Sequence, residues 1–561
     1  MKHLSSARVV AVISTLVICV GCLLAFIGGS QSGVTTDEPT QLDRTQVWLD
    51  HGWFLPGGEL SGGQPAGESN YVYGPAASAI GHLANVAAGT TSWGLTSTSA
   101  RAWKIRHWVT ALMALLAALA VGLSVRTLTR SVPAALWSAA ALLCIPLWLG
   151  MGFFNIKDVP VATGYTLVTT GLVIGVASDR RPTAGAVILV SGLVGFGSFL
   201  AVGTRIAMWA PVAASIGLCV LTLVLRRRWT NEGGWLRLSS VLVGAALSFL
   251  ALALLYPEVF THPFAAMVES LRDSSSYPWE GVTLTAGSLL GEYPPWWYLP
   301  ALVLASVPTL FLVAGILGAV TAITGARRNL GSGIRQVLVG PTPGIGFVLL
   351  QLMLLPLLSI AAGSNMYTGL RQHLYVLPAI VIMAGVGANW LLGQILWPRW
   401  TRFAIPVLLI VALVIPMIGQ VQLFPYNYTY VSAVASLNGI NGQWESDYWE
   451  SSLREAIEKV PEGETPVCGS LIPKDQPADS LTLYRTCDPS VIGPYRKSQG
   501  SFPTDRDGRG TWVIAARRAG NKPPDYCRIE DEVTRELRFT RVVMAYVLKC
   551  DSRRVSELTI D

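Results

Sequence analysis

Eleven apolar runs of span length recur along this chain, and no other feature limits its fold so sharply. They lie near residues 9–29, 108–125, 132–150, 159–177, 184–202, 207–225, 238–256, 299–323, 343–361, 375–396 and 403–419. A bilayer core of about 30 Å takes about 20 helical residues to cross, and only a helix satisfies its own backbone polar groups there. Composition agrees: 51% of the 561 residues are hydrophobic and 13% charged, which a soluble chain would not tolerate. Disordered, collagenous and nucleic-acid-binding classes fit poorly. The run Val9 to Ile27 follows Lys2 and Arg8 as a secretory signal would, but it exceeds the apolar length of a signal peptide and is read as a retained anchor.

The charges are unevenly shared. Residues 420–561 hold 18 Lys and Arg with 20 Asp and Glu, whereas the first 419 hold 23 and 14. A membrane body over 1–419 is therefore expected to carry a polar domain over 420–561. Basic residues near span ends stay on the cytoplasmic side. With the N-terminus inside, the internal loops collect Arg126, Arg130, Arg180, Arg181, Arg226 to Arg228, Arg237, Arg327, Arg328, Arg335, Arg399 and Arg402 beside Lys2 and Arg8. The net charge of +7 thus reads as a topology signal. An odd number of spans places the tail outside, in a multi-pass plasma-membrane protein whose residue usage leans towards bacteria.

Cys468, Cys487, Cys527 and Cys550 fall in the tail, where an oxidising compartment permits disulfides. Neighbouring positions suggest Cys468 with Cys487 and Cys527 with Cys550, although three pairings exist. The other four cysteines lie in spans as small hydrophobes. The tail reads as a small α/β domain, with a helix over Ser446 to Val460, strands at Thr511 to Ala516 and Phe539 to Leu548, and turns at Asp475 to Ala478 and Asn521 to Pro524. Asn427-Tyr428-Thr429 matches a glycosylation sequon.

The cytoplasmic loops are short and basic, so any chemistry belongs to the outer face. The first outer loop, 30–107, opens with Thr35-Thr36-Asp37-Glu38-Pro39, and Pro75 to Ala88 has the character of a surface helix. Two adjacent carboxylates at the boundary suit a general base or a cation site, yet the same residues suit a helix start. Lys157, Arg205 and Arg371 break the positive-inside trend in short outer loops. Cations at that depth gather around an anion such as a lipid phosphate, or snorkel singly to headgroups. Lys157 also has Asp158 beside it as an ion-pair partner. The fourth outer loop holds His262, a base or a structural histidine, and an aromatic run including Trp296, which suits an interfacial belt, sugar stacking or a polyisoprenoid path. The glycines of Gly192 to Gly197 fit helix packing better than a phosphate loop.

In order, Asp37-Glu38-Pro39, Phe154-Asn155-Ile156-Lys157-Asp158-Val159-Pro160, Tyr367 to Leu377, and Tyr426 to Tyr430 with Asp447-Tyr448-Trp449 resemble the GT-C glycosyltransferases. Within them, the resemblance is to the dolichyl-phosphate-mannose-protein mannosyltransferase-like group, relatives of glycosyltransferase family 39. It implies a polytopic α-helical GT-C-like body with a small exoplasmic α/β domain. It further implies transfer of a sugar from a polyprenyl-phosphate donor to an envelope glycan, lipid or protein, with inversion and without nucleic acid. Asp37, with Glu38 beside it, takes the family's acidic position. Lys157, Arg205 and Arg371 are assigned to the donor phosphate, and Asp158, His262, Tyr367, His373 and Trp296 to the acceptor or supporting positions. Some GT-C enzymes need a divalent cation (Mg, Mn or Ca) and others do not; Asp37, Glu38 and Asp158 are the residues named to hold one. The extra lumenal repeat of the protein mannosyltransferases is not seen, which leaves the acceptor open. A lipid-linked-sugar flippase or other transporter would share many spans and cationic phosphate contacts, and a noncatalytic envelope-assembly protein whose tail binds a partner is the second alternative.

Overall fold

The computed structural model describes residues 2–52, 73–177, 181–226, 233–255, 263–275, 281–331, 333–393, 400–464, 466–471, 481–483, 510–518 and 522–557. The body contains α1 (Lys2–Gln31), α2 (Asp37–His51), α3 (Ala76–Ala87), α4 (Ala100–Thr129), α5 (Val132–Cys144), α6 (Pro146–Gly152), α7 (Asp158–Val176), α8 (Ala184–Thr204), α9 (Trp209–Arg226) and α10 (Gly234–Leu255). There follow α11 (Pro263–Ser275), a hairpin of β1 (Thr283–Thr285) and β2 (Ser288–Leu290), α12 (Tyr298–Ser306), α13 (Thr309–Gly331), α14 (Ile334–Val339), α15 (Thr342–Ala361), α16 (Val376–Leu392) and α17 (Thr401–Leu423).

This is a polytopic helical membrane protein. Among the described residues, nine helices are long and apolar enough to cross a bilayer, and α5 with α6 makes a tenth if that bent pair is one span. The eleventh expected run is the shorter apolar helix α16. Two expected spans are broken, and proline explains both. Pro146 lacks an N–H, and α5 and α6 meet there at 69°. Pro308 separates α12 from α13 where one continuous run was expected.

α7 is the central helix, buried over almost its whole length. Small residues let its neighbour approach: a Cβ on Gly197 of α8 would lie 2.6 Å from the Gly164 carbonyl of α7, which accounts for the glycine-rich run by packing. Its two ends differ in charge. Arg226 and Arg237 donate to the last-turn carbonyls of Val176 and Gly175, at 2.5 and 2.9 Å, as suits the negative end of a helix dipole. Asp158 opens the other end.

The tail carries α18 (Leu453–Glu458), β3 (Val467–Leu471), β4 (Leu481–Leu483), β5 (Thr511–Arg517), β6 (Cys527–Leu537), β7 (Thr540–Cys550) and α19 (Ser552–Glu557). Its sheet runs β4-β3-β5-β7-β6, with β3 and β5 parallel and the other pairs antiparallel. The α/β reading holds, but the helix expected from Ser446 shrinks to α18. Asp447 takes the backbone N–H groups of Ser451 and Ser452, at 3.2 and 2.9 Å, and turns the chain before the helix begins. Cys527 pairs with Cys550, and Cys468 is also disulfide-bonded; Cys487 and the turn at Asp475 to Ala478 lie outside the described residues. The Asn427 sequon is buried, its side-chain amide donating to Gln420 Oε1 at 2.8 Å, so it is no glycan acceptor in this fold.

The tail packs directly on the body. Arg454 donates to the carbonyls of Ser30 and Ser32, at 2.9 and 3.2 Å, just past the membrane end of α1. Gly33 faces the Ser451 carbonyl, and any Cβ there would collide with it.

Candidate active site

Asp37 is the first residue of α2, and its Oδ2 is held by two cations from distant loops. Lys157 Nζ forms a short ion pair with it and Arg371 Nη1 donates at 2.8 Å. Lys157 lies just before α7 and Arg371 in the 3₁₀ turn ahead of α16. The Asp37 side chain keeps 35% of its surface open, whereas those of Lys157 and Arg371 keep 9% and 8%. Asp37 is thus the least enclosed of the three. Burial alone would raise the Asp37 pKa, but Lys157 and Arg371 together outweigh it and hold the carboxyl well below the usual range.

A second ion pair abuts the first. Arg205 Nη2 donates to Asp158 Oδ1 at 3.0 Å, and Asn155 Nδ2 donates to Asp158 Oδ2 at 3.0 Å. Asn155 Oδ1 in turn accepts the backbone N–H of Asp158 at 2.8 Å, the local turn that starts α7. One aromatic ring bridges the two pairs and a second caps the first. The Tyr73 ring lies 5.1 Å from Lys157 Nζ and 5.7 Å from the Arg205 guanidinium, and Tyr73 is tied to Arg205 by a backbone β-bridge. The Trp449 ring, from the tail, lies 5.9 Å from Lys157 Nζ and 4.8 Å from the Arg371 guanidinium. Tyr367 stacks on Arg371 at 4.8 Å. Burial would raise the Tyr73 hydroxyl, yet Lys157, Arg205 and Arg371 lower it, as befits a cationic site.

Asp37, Lys157, Asp158, Arg205, Arg371 and Tyr367 thus meet, although up to 334 positions separate them in sequence. Three cations face two carboxylates in these pairs, and a fourth, Arg44, stacks on the Tyr73 ring at 4.6 Å. Next to it opens a cleft of about 380 Å³ lined by Tyr73, Arg205, Tyr367, His373 and Tyr375 and, further along, by Met208, Leu271, Leu355 and Leu358. His373 shares a hydrogen bond with Ser359 Oγ at 3.1 Å; burial first, then the charge of Arg205, push its imidazole down to about 3.

Glu38 stands apart from the cluster. It is buried, with Oε2 accepting the backbone N–H and hydroxyl of Thr35 at 2.8 and 3.0 Å and Oε1 2.8 Å from His107 Nε2. These contacts place it as a helix-start anchor rather than a group facing the cleft. Trp296 is 70% exposed and makes none of the cluster contacts, as an interfacial aromatic ahead of a span would be. His262 lies outside the described residues.

The carboxylates named for a divalent cation do not converge: Asp37 and Asp158 are each turned onto cationic partners and Glu38 onto His107. Among the described residues no group of three or more His, Cys, Asp or Glu side chains is gathered as a metal site would need. Tyr73 and Trp449 were missed as site residues. Trp449 stood in a quoted motif, and its placement follows from Asp447, which also takes the Tyr428 and Ser452 hydroxyls and fixes the loop before α18. Tyr73 carries no local signal, because a backbone bridge to Arg205 puts it there.

No protein-family model and no curated protein sequence matches the chain. In structure it is similar to the archaeal oligosaccharyltransferase AglB from Archaeoglobus fulgidus, in complex with an inhibitory peptide and a dolichol-phosphate. The TM-score is 0.45 at 13% identity over 82% of this chain, which spans 58% of that protein's length. It is similar also to ArnT from Cupriavidus metallidurans bound to undecaprenyl phosphate, with a TM-score of 0.45 at 15% identity over 95% of this chain and 97% of the other. These likenesses are slight, and the geometry stands without them.

Proposed function

We propose that this protein is a membrane glycosyltransferase that moves a sugar from a polyprenyl-phosphate carrier to an acceptor at the outer face. The observation that carries the proposal is the part-exposed Asp37 held between Lys157 and Arg371, in a cluster whose Tyr73, Arg205 and Tyr367 also line a cleft polar at one end and apolar along its length. A lipid phosphate has that polarity. Arg205, Arg371 and Lys157 would take the phosphate by fork and point-charge contacts, and the apolar wall would receive the carrier chain. The outer placement rests on the Lys and Arg distribution and on the tail disulfides.

The residues then divide the work. An acceptor hydroxyl gives its proton to Asp37 Oδ as its oxygen bonds to the anomeric carbon. The bond from that carbon to the phosphate oxygen breaks, and the electron pair leaves on the phosphate. One displacement inverts the anomeric centre. The departing charge meets preformed cations, which stabilise it without reorganisation. The donor also prepares the base: a phosphate drawing Lys157 and Arg371 onto itself removes the counter-charge that keeps Asp37 a poor proton acceptor.

The experiment is transfer from a polyprenyl-phosphate-linked radiolabelled sugar to envelope acceptors, by purified protein in nanodiscs. Transfer by the wild type and none by Asp37→Asn, with polyprenyl-phosphate binding retained, is the expected result. Equal transfer by both removes Asp37 from the role of base.

A further inference from the structure

A second, narrow pocket lies against the face of α2 that carries Glu38, Gln41, Leu42 and Thr45 and leaves Asp37 out. Its other walls come from α3, α4 and the start of α7, and it admits only a particle or two of water size. Arg106 of α4 borders it. That side chain is 7% exposed, its guanidinium stacks on Trp103 at 4.5 Å, and both terminal nitrogens, Nη1 and Nη2, lack a hydrogen-bond partner among the described residues. An arginine stays charged, and a buried charge needs an opposite one.

Glu38 is the acid that acts on Arg106, but its charge is already matched. His107 Nδ1 lies 2.9 Å from the Gly29 carbonyl and must donate to it, so the 2.8 Å contact of Nε2 with Glu38 holds one further proton. Wherever that proton sits, the Glu38–His107 pair is neutral as a unit. Among the described residues Arg106 therefore adds an uncompensated positive charge. His82, on the same pocket, gives Nε2 to the Trp93 carbonyl at 2.7 Å and leaves Nδ1 without a partner among the described residues.

We infer that this pocket binds a small monovalent anion of halide size. Water would satisfy the two nitrogens but leave the charge standing, and larger oxyanions exceed the space. The ion would neutralise Arg106 and tie α4 to the helix that carries Asp37. The inference is independent of the glycosyl-transfer reading.

The test uses the full chain in nanodiscs, with chloride or bromide replaced by gluconate at constant ionic strength. Halide is expected to raise the unfolding temperature saturably, by about 2 °C, and Arg106→Met to abolish the difference. Should that variant not fold, bromide-soaked crystals of the wild type are expected to show an anomalous peak at hydrogen-bonding distance from the Arg106 guanidinium. Equal unfolding temperatures in halide and gluconate, the same halide effect in Arg106→Met, or water density without an anomalous signal at Arg106 would each overturn the inference.

Discussion

Arg371 donates to Asp37 at 2.8 Å across 334 positions of sequence, so the acid and one of its two cations are joined only by the folded body. The carboxylate is thereby neutralised by the groups proposed to bind the donor. Removing the acid and removing the cations should have opposite effects on donor affinity.

Asp37→Asn should lower turnover by about 10²-fold or more, the scale of losing a general base. Polyprenyl-phosphate affinity should be unchanged or tighter, because Lys157 and Arg371 lose a competing anion. Single-turnover transfer with equilibrium binding of the lipid phosphate checks both halves; weaker binding would count against the shared-cation arrangement.

Arg371→Ala should weaken donor binding or slow transfer about tenfold or more, the scale of one charge-assisted contact. Arg371→Lys should recover only part of the loss, since a fork contact and the stacking on Tyr367 and Trp449 are not restored. Steady-state kinetics on the two variants separates these outcomes.

The pH profile should differ between kcat/KM and kcat. In the free protein Asp37 is held low by Lys157 and Arg371, so it stays ionised well into acid and the acid limb of kcat/KM should not come from it. In the donor complex the phosphate shares those cations, the Asp37 pKa rises, and the acid limb of kcat should move to higher pH. Coincident limbs would exclude donor-linked activation of the base.

His373 is buried and pushed down to about 3 from its ordinary value of 6.5. Its folded pKa is depressed, so the stability it contributes is full above the unfolded value and declines as pH falls from there towards the folded one. Between about pH 6 and 4, His373→Gln should lose less unfolding temperature than the wild type. A thermal-shift series over that window measures the difference.

Gly33→Ala should destabilise the protein by about 1–3 kcal/mol, because a Cβ would strike the Ser451 carbonyl where the tail rests on the body. Limited proteolysis of the tail should quicken in step. Unchanged proteolysis would mean that the contact yields without cost.

Much of the body was legible because hydrocarbon thickness dictates the length of an apolar run, and each expected span contains a helix. Its breaks were less so: Pro146 and Pro308 stand in plain sight, but whether a proline bends or ends a helix depends on what packs around it. In the tail, β6 was overlooked because Arg528, Glu530, Asp531 and Glu532 make it look like a loop. As the sheet's edge strand it can afford such charge. In the cluster, Lys157, Arg205 and Arg371 stood out by an energetic oddity, charges where charges are expensive, whereas Asp37 was read from its boundary motif and the family resemblance. Glu38 shares that motif, but a histidine 69 positions away turns it inward, and nothing local foretells that contact.

The cluster draws on α2, the turns before α7 and α16, the end of α8 and finally a tryptophan at position 449. A ribosome must therefore have inserted nearly every helix before the last ring can settle over Lys157 and Arg371. Chains cut short during synthesis would lack Trp449 and leave the cluster incomplete, so the proposed transfer would await the finished chain.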